Sequence, residues 1–198
     1  MDVRAVDNQG DPILSSMRQW DAPQEATPPW LAMTKPIICA VNGIACGAGL
    51  DLITTADITI ASETASLMDP HVSIGVTSGR EGVRLARILP LPVAMRVILM
   101  GKHERLDAKR AYDLGIFTEL VAPEALMDRA WEIAEVVNSN APLAVRGSRM
   151  AVRKGLTLPI YEAELLAEKY RMKVALTKDA IEGPRAFLEK RAPNWQCR

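Results

Sequence analysis

The stretch that most constrains this chain runs from Lys35 to Gly75. Pro36 opens an apolar run, Ile37-Ile38-Cys39-Ala40-Val41, which stops at Asn42-Gly43. Gly47-Ala48-Gly49 follows, then Leu50-Asp51 and a second apolar run, Ile58-Thr59-Ile60-Ala61. Branched apolar runs bounded by turn residues predict strands buried on both faces. Gly43, Gly47 and Gly49 permit backbone angles and close approaches that a Cβ blocks, and they predict a turn into a short helix running to about Ala56. The first N–H groups of such a helix lack internal acceptors, so with the helix dipole they can hold an anion or a developing oxyanion. The alternative is a plain strand-to-helix turn that the glycines serve only geometrically.

Two nucleotide motifs are excluded. A dinucleotide fingerprint needs a third glycine where Leu52 stands, and a phosphate loop needs Lys-Ser/Thr where Leu50-Asp51 stand. Charge narrows the partners further: 24 Lys plus Arg balance 24 Asp plus Glu, so no global field recruits nucleic acid or an anionic membrane. No apolar run approaches the ~18 residues of a membrane span, and no signal-peptide core follows Asp2 and Arg4, which predicts a cytoplasmic protein. Cys39, Cys46 and Cys197 lack metal-ligand spacing; the first two are expected to be small buried hydrophobes, and no metal site is predicted.

Residues 7–34, rich in Asp, Gln, Pro and Ser, predict a long surface excursion with one helical turn around Ser15 to Trp20. After Gly79 the spacing of Val83, Leu85, Ala86, Ile88 and Leu89 predicts a helix stopped by Pro90 and Pro92, then another over Val93 to Met100 that ends at Gly101. Asp107 can cap a helix ending at Gly115, with a strand over Ile116 to Val121. Leu126, Ala130, Ile133, Ala134 and Val137 share one face of a helix over 123–138. Beyond Asn140 the pattern is wholly helical, about 142–154, 159–176 and 179–190, the last interrupted near Gly183-Pro184. The Lys/Arg scatter in residues 146–154 reads as a solvated face. The chain thus divides into an α/β part, 1–140, and a helical part, 141–198.

Several of these features together resemble the enoyl-CoA hydratase/isomerase, or crotonase, family. They are Lys35-Pro36 before the strand, Asn42-Gly43, the Gly47-Ala48-Gly49 turn, Ala56-Asp57 leading into Ile58-Ser62, and the Pro70 turn before Gly75. The segment from Thr177 through Glu182-Gly183 and Lys190-Arg191 to Pro193 agrees with that family's C-terminus. The resemblance implies a crotonase-like α/β spiral of ββα units, N-terminally incomplete here, with a C-terminal helical region for trimer assembly. It implies an acyl-CoA substrate and no separate cofactor, coenzyme A being part of the substrate. The expected reaction is reversible addition of water to a 2-enoyl-CoA. Double-bond isomerisation and a non-catalytic subunit or fragment are the alternatives. No nucleic acid or membrane partner is implied, and the expected assembly is a homotrimer or homohexamer.

The family holds the thioester oxygen with two backbone N–H groups, which fall on Ala48 and, in the first motif, on Met1 of Met1-Asp2-Val3-Arg4. On that match the fold's first strands would precede Met1, so a longer reading frame is expected. The two catalytic glutamates of typical hydratases match Asp51 and His71, a pair in which the carboxylate accepts a proton from water and the imidazole donates one. In the competing reading Asp51 braces the glycine turn and His71 is a loop histidine; Asp69, in an Asx-Pro turn, and Glu81, on a first helical turn, are rival carboxylates. Gly47, Gly49, Asp2, Arg4 and Lys190 are the expected acyl-CoA contacts, Arg4 and Lys190 for its phosphates.

Overall fold

Residues 33–197 are described by the computed structural model. Strand β1 (Ile38–Val41) enters from Pro36, and β2 (Ile44–Ala45) follows Asn42-Gly43. Helix α1 (Ala48–Thr55) leads into β3 (Ile58–Ser62), and a tight turn gives β4 (Ser66–Leu67). A single 3-10 turn, His71–Ile74, precedes α2 (Arg80–Ile88) and α3 (Leu91–Met100). Then come β5 (Leu106–Asp107), α4 (Ala108–Asp113), β6 (Glu119–Val121) and α5 (Leu126–Asn138). The chain ends in α6 (Pro142–Gly155), α7 (Ile160–Ala175) and α8 (Lys178–Leu188).

One sheet has the order β1-β3-β6, all parallel, with Ile38 opposite Ile58 and Ile60 opposite Glu119. Period-two alternation sets its two faces. Ile38, Ala40, Ile58 and Ile60 point to Leu126 and Ala130 of α5, while Cys39, Val41 and Ala61 point to the main core of Leu50, Leu67, Leu85, Val97 and Phe117. Burial on both faces therefore falls on the central strand β3, where residues 59–62 are all buried. In β1 only Val41 is buried, because among the described residues this strand pairs on one side alone.

A second sheet, β2-β4-β5, pairs β2 with β4 in parallel and β4 with β5 antiparallel. Each of its strands has two residues, too few for a periodic signal, and the sequence reading missed them. The strand expected over Ile116 to Val121 begins only at Glu119. Phe117 leaves the ladder to fill the core, and Thr118 donates to the Thr59 carbonyl from both its N–H and its hydroxyl, each at 2.8 Å.

Proline behaves differently from expectation at two places. Pro92 does not stop a helix; it sits in the first turn of α3, where its missing N–H would have no partner anyway. Helix α8 runs through Pro184 without a break, with Trp195 folded back so close to Gly183 that a Cβ there would lie 3.3 Å from the indole. Cys46 is exposed rather than buried, since it sits on the open turn ahead of α1. Cys39 is half-buried against the core, and that burial pushes its thiol up from the ordinary value.

Of the basic residues of α6, Arg146 and Lys154 are exposed, as a solvated face requires, but Arg149 and Arg153 turn to a carboxylate. Arg149, 11% exposed, donates from Nε to Asp57 Oδ2 at 2.6 Å, and Arg153 donates from Nε to Oδ1 at 2.8 Å. Arg153 also caps the carbonyls of Thr55, at 2.6 Å, and Ala56 at the end of α1. The Ile37 N–H gives Asp57 a further donor at 2.8 Å. One carboxylate thus fastens α6 to the junctions Pro36–β1 and α1–β3. Farther along, Asp179, buried in α8, accepts the Gln196 and Cys197 N–H groups at 2.6 and 3.0 Å and holds the last residues against that helix.

Candidate active site

The glycine turn presents the start of α1 without a side-chain cap. Gly47 adopts φ 52°, ψ −118°, a conformation that a side chain would strain although space for a Cβ is open. Gly43 and Gly49 are not required conformationally; a Cβ on Gly49 would meet Ala45 at 3.5 Å, ordinary contact. The Gly49 N–H is taken by the Cys46 carbonyl and the Asp51 N–H by the Gly47 carbonyl, both at 3.0 Å. Among the described residues the Ala48 N–H has no acceptor, so it is left as the donor at the helix start.

Asp51 lies in the first turn of α1, 4% exposed. The Arg84 guanidinium of α2 pairs with its Oδ1, while Oδ2 has no partner among the described residues. The Thr54 and Thr55 hydroxyls donate to the Asp51 carbonyl at 3.1 and 2.7 Å, fixing the turn that carries it.

His71 opens the 3-10 turn after Asp69-Pro70. Asp69 accepts its backbone N–H at 3.2 Å, the expected Asx turn, but it also lies 2.5 Å from ring Nδ1 and accepts the Ser78 hydroxyl. Ring Nε2 faces Glu81 Oε1 at 3.2 Å. Glu81 and Arg84 stand three residues apart on α2, a spacing that puts them on one helical face. Helix α2 therefore touches both His71 and Asp51 and joins them into one polar cluster.

Sequence reasoning missed Arg84, and it named Glu81 as a rival carboxylate without foreseeing its contact with His71. The available signal was the spacing of Glu81 and Arg84, opposite charges one turn apart on a helix that follows directly on the Asp69-His71 turn. Lys190 lies after α8 with φ 54°, and its ammonium has no partner among the described residues. No contact of the described residues links it to Asp51 or His71. Met1, Asp2 and Arg4 lie outside the described residues. A groove of about 600 Å³ lies between α6 and α7, lined by small residues such as Gly147, Ala151 and Ala167, and contains none of the polar cluster. Among the described residues no group of three metal-ligating side chains is assembled, and no helix is long and apolar enough to cross a membrane.

This architecture, two small parallel-rich sheets with a glycine-led helix start beside an acidic side chain, matches known proteins. Residues 18–198 match the family model for enoyl-CoA hydratase/isomerase, and the chain belongs to that family. It is 62% identical to an enoyl-CoA hydratase/isomerase of Mycobacterium paratuberculosis whose crystal structure superposes with a TM-score of 0.85, covering 95% of this chain and 74% of that one. It is 36% identical over 171 residues to the carnitinyl-CoA dehydratase of Citrobacter koseri, covering 84% of this chain. An enoyl-CoA hydratase of Mycobacterium tuberculosis is 35% identical over 167 residues, 84% of this chain and 62% of its own length. The chain spans about 65% of the length of the carnitinyl-CoA dehydratase. The expected crotonase-type fold, with parallel sheets and a C-terminal helical region, is the fold observed.

Proposed function

We propose that this chain processes acyl-CoA thioesters and, within that class, adds water reversibly across the double bond of a 2-enoyl-CoA. The observation that carries this reading is a set of three groups: an Ala48 N–H at a helix start and an Asp51 Oδ2, neither with a partner among the described residues, and a histidine tied to the same helix as Asp51. The thioester oxygen gains negative charge as water adds to the β-carbon, and a fixed backbone donor stabilises that charge. Losing one such donor costs about 3 kcal/mol in comparable sites. Asp51 Oδ2 takes the proton from water, and His71 supplies the proton that reaches the α-carbon. Gly47 and Gly49 let the acyl-CoA approach the backbone, and Lys190 meets a phosphate. A short-chain 2-enoyl-CoA should lose its conjugated absorbance in the presence of the full chain, with label from heavy-oxygen water appearing at the β-carbon. Conversion to a non-conjugated enoyl thioester without label would favour isomerisation; no turnover and no acyl-CoA binding would favour a non-catalytic subunit.

On the same reading residues 1–140 carry the catalytic core and 141–198 the assembly helices. Helix α7 buries none of its residues, and Ile160, Leu176 and Phe187 are 76%, 90% and 81% exposed. That much apolar surface favours burial against another copy. Light scattering at micromolar concentration is expected to give three or six times the chain mass of 21.7 kDa, and a monomer would contradict it.

A further inference from the structure

A second groove opens where α6 passes the end of α5 and the start of β1. It consists of two chambers of about 370 and 410 Å³, which share Pro36, Val137, Asn140 and Val145 as walls and so run into each other. Each chamber falls in the size range of small-molecule sites. The groove is separate from the polar cluster. It adjoins Lys35, Pro36 and Ile38 at the start of β1 and Asp57 just past the end of α1, whereas Ala48 and Asp51 lie in the first turn of that helix. Eight residues of helix put about 12 Å between its two ends.

Charge gives the groove two unlike ends. The first chamber is walled by Lys35 and Arg146, both exposed and without a partner among the described residues, and no carboxylate lines it. Pro142, in the same wall, is the first residue of α6, so the positive end of the helix dipole adds to that field. In the second chamber the cations are already compensated, since Arg149 and Arg153 both pair with Asp57. There Ile58 and Val152 continue the apolar wall begun by Val137 and Val145. Two uncompensated cations at one end and an apolar wall leading away from them fit a ligand with an anionic head and an apolar tail.

We propose that this groove binds a free aliphatic carboxylate, the anion of a fatty acid. Its head lies between Lys35 and Arg146, and its chain runs along Val137 and Val145 toward Ile58 and Val152. The carboxylate accepts a charge-assisted hydrogen bond from the ammonium and from the guanidinium, which can give two in parallel. The chain takes the half-buried valines and isoleucines out of water. The site is independent of the function proposed above, because none of Ala48, Asp51 and His71 lines it.

The test is calorimetric titration of the full chain with sodium decanoate at submillimolar concentration. One decanoate per chain is expected, with affinity rising by up to about 4-fold for each methylene between hexanoate and decanoate. Affinity that does not change with chain length, or inorganic phosphate that binds as tightly as decanoate, would reduce the groove to a bare anion site and overturn the proposal. The double variant Lys35→Gln, Arg146→Gln changes only exposed side chains and should weaken decanoate at least ~10-fold, the worth of one charge-assisted hydrogen bond. Val137→Trp fills the groove while keeping both cations, and it should abolish binding. No binding by the unsubstituted protein, or equal binding by the double variant, would refute the site. Saturating butyryl-CoA should leave decanoate binding unchanged; displacement would put the carboxylate in the candidate active site and overturn the proposal. A protein that binds decanoate in this way but binds no acyl-CoA would uphold the groove and reject the function proposed above.

Discussion

Asp57→Ala is expected to lower the melting temperature by roughly 6 to 12 °C. The substitution strips the anion from Arg149 and Arg153 and the acceptor from the Ile37 N–H, three donors that converge on one carboxylate. Breaking a buried pair by removing one partner costs about 3 to 5 kcal/mol; the low end applies because Arg153 is a third exposed and can turn to water. About 3 kcal/mol in a domain of this size corresponds to that shift. The dependence on acidity has a definite direction. Burial alone would raise the Asp57 carboxyl, but hydrogen bonds from Arg149, the Ile37 N–H and Arg153, with the Arg153 charge, outweigh it and hold the group below the ordinary carboxylate value. The unfolded chain, near 3.9, binds the proton more readily. The contribution of Asp57 is therefore complete above about pH 4 and disappears as pH falls through the lower folded value. Melts of the two proteins should diverge at pH 7 and converge in acid, and parallel curves across that range would rule the latch out.

Asp51→Asn should reduce kcat for 2-enoyl-CoA hydration by at least ~100-fold, the low end for a positioned acid or base. The amide keeps the shape of the side chain but cannot accept a proton from water. It also leaves Arg84 facing a neutral group, so some stability is lost with the activity. Arg84 is a quarter exposed and can recover part of its solvation. Rates are therefore to be compared well below the variant's melting temperature. Turnover equal to that of the unsubstituted protein would remove Asp51 from the chemistry and leave it as a brace for the helix start.

The elements that the sequence disclosed were those with a local cause. Strand β3 and helices α1, α2, α4, α5 and α6 lie where apolar period, Pro, Gly and the Asp107 cap put them, and the Arg110 N–H does bond Asp107 Oδ1, at 2.7 Å. What escaped notice depends on partners distant in the chain. Arg149 and Arg153 read as solvated charges because the carboxylate they serve lies 92 and 96 residues earlier. The second sheet escaped because two-residue strands are defined by their neighbours rather than by their own pattern. At the candidate site, Ala48, Asp51 and His71 were singled out from motif and chemistry, and the fold ties Asp51 and His71 to one helix. Glu81 was read as a rival carboxylate but not as a partner of His71, because favourable charge on a first turn accounts for it without any contact; Arg84 was missed, because one arginine in a basic-rich stretch carries no signal until Asp51 is seen beside it.

Helix α2 acts on the site as a single lever. Leu85, 1% exposed, keys the helix into the core next to Arg84 and fixes its rotation. With that rotation fixed, the first turn positions the His71 ring through Glu81 and the next positions the Asp51 carboxylate through Arg84, so the two side chains share one mechanical frame. A repacking around Leu85 that turned the helix by a few degrees would move both groups together and in phase. Tuning one of them alone requires a change of side chain, not of backbone.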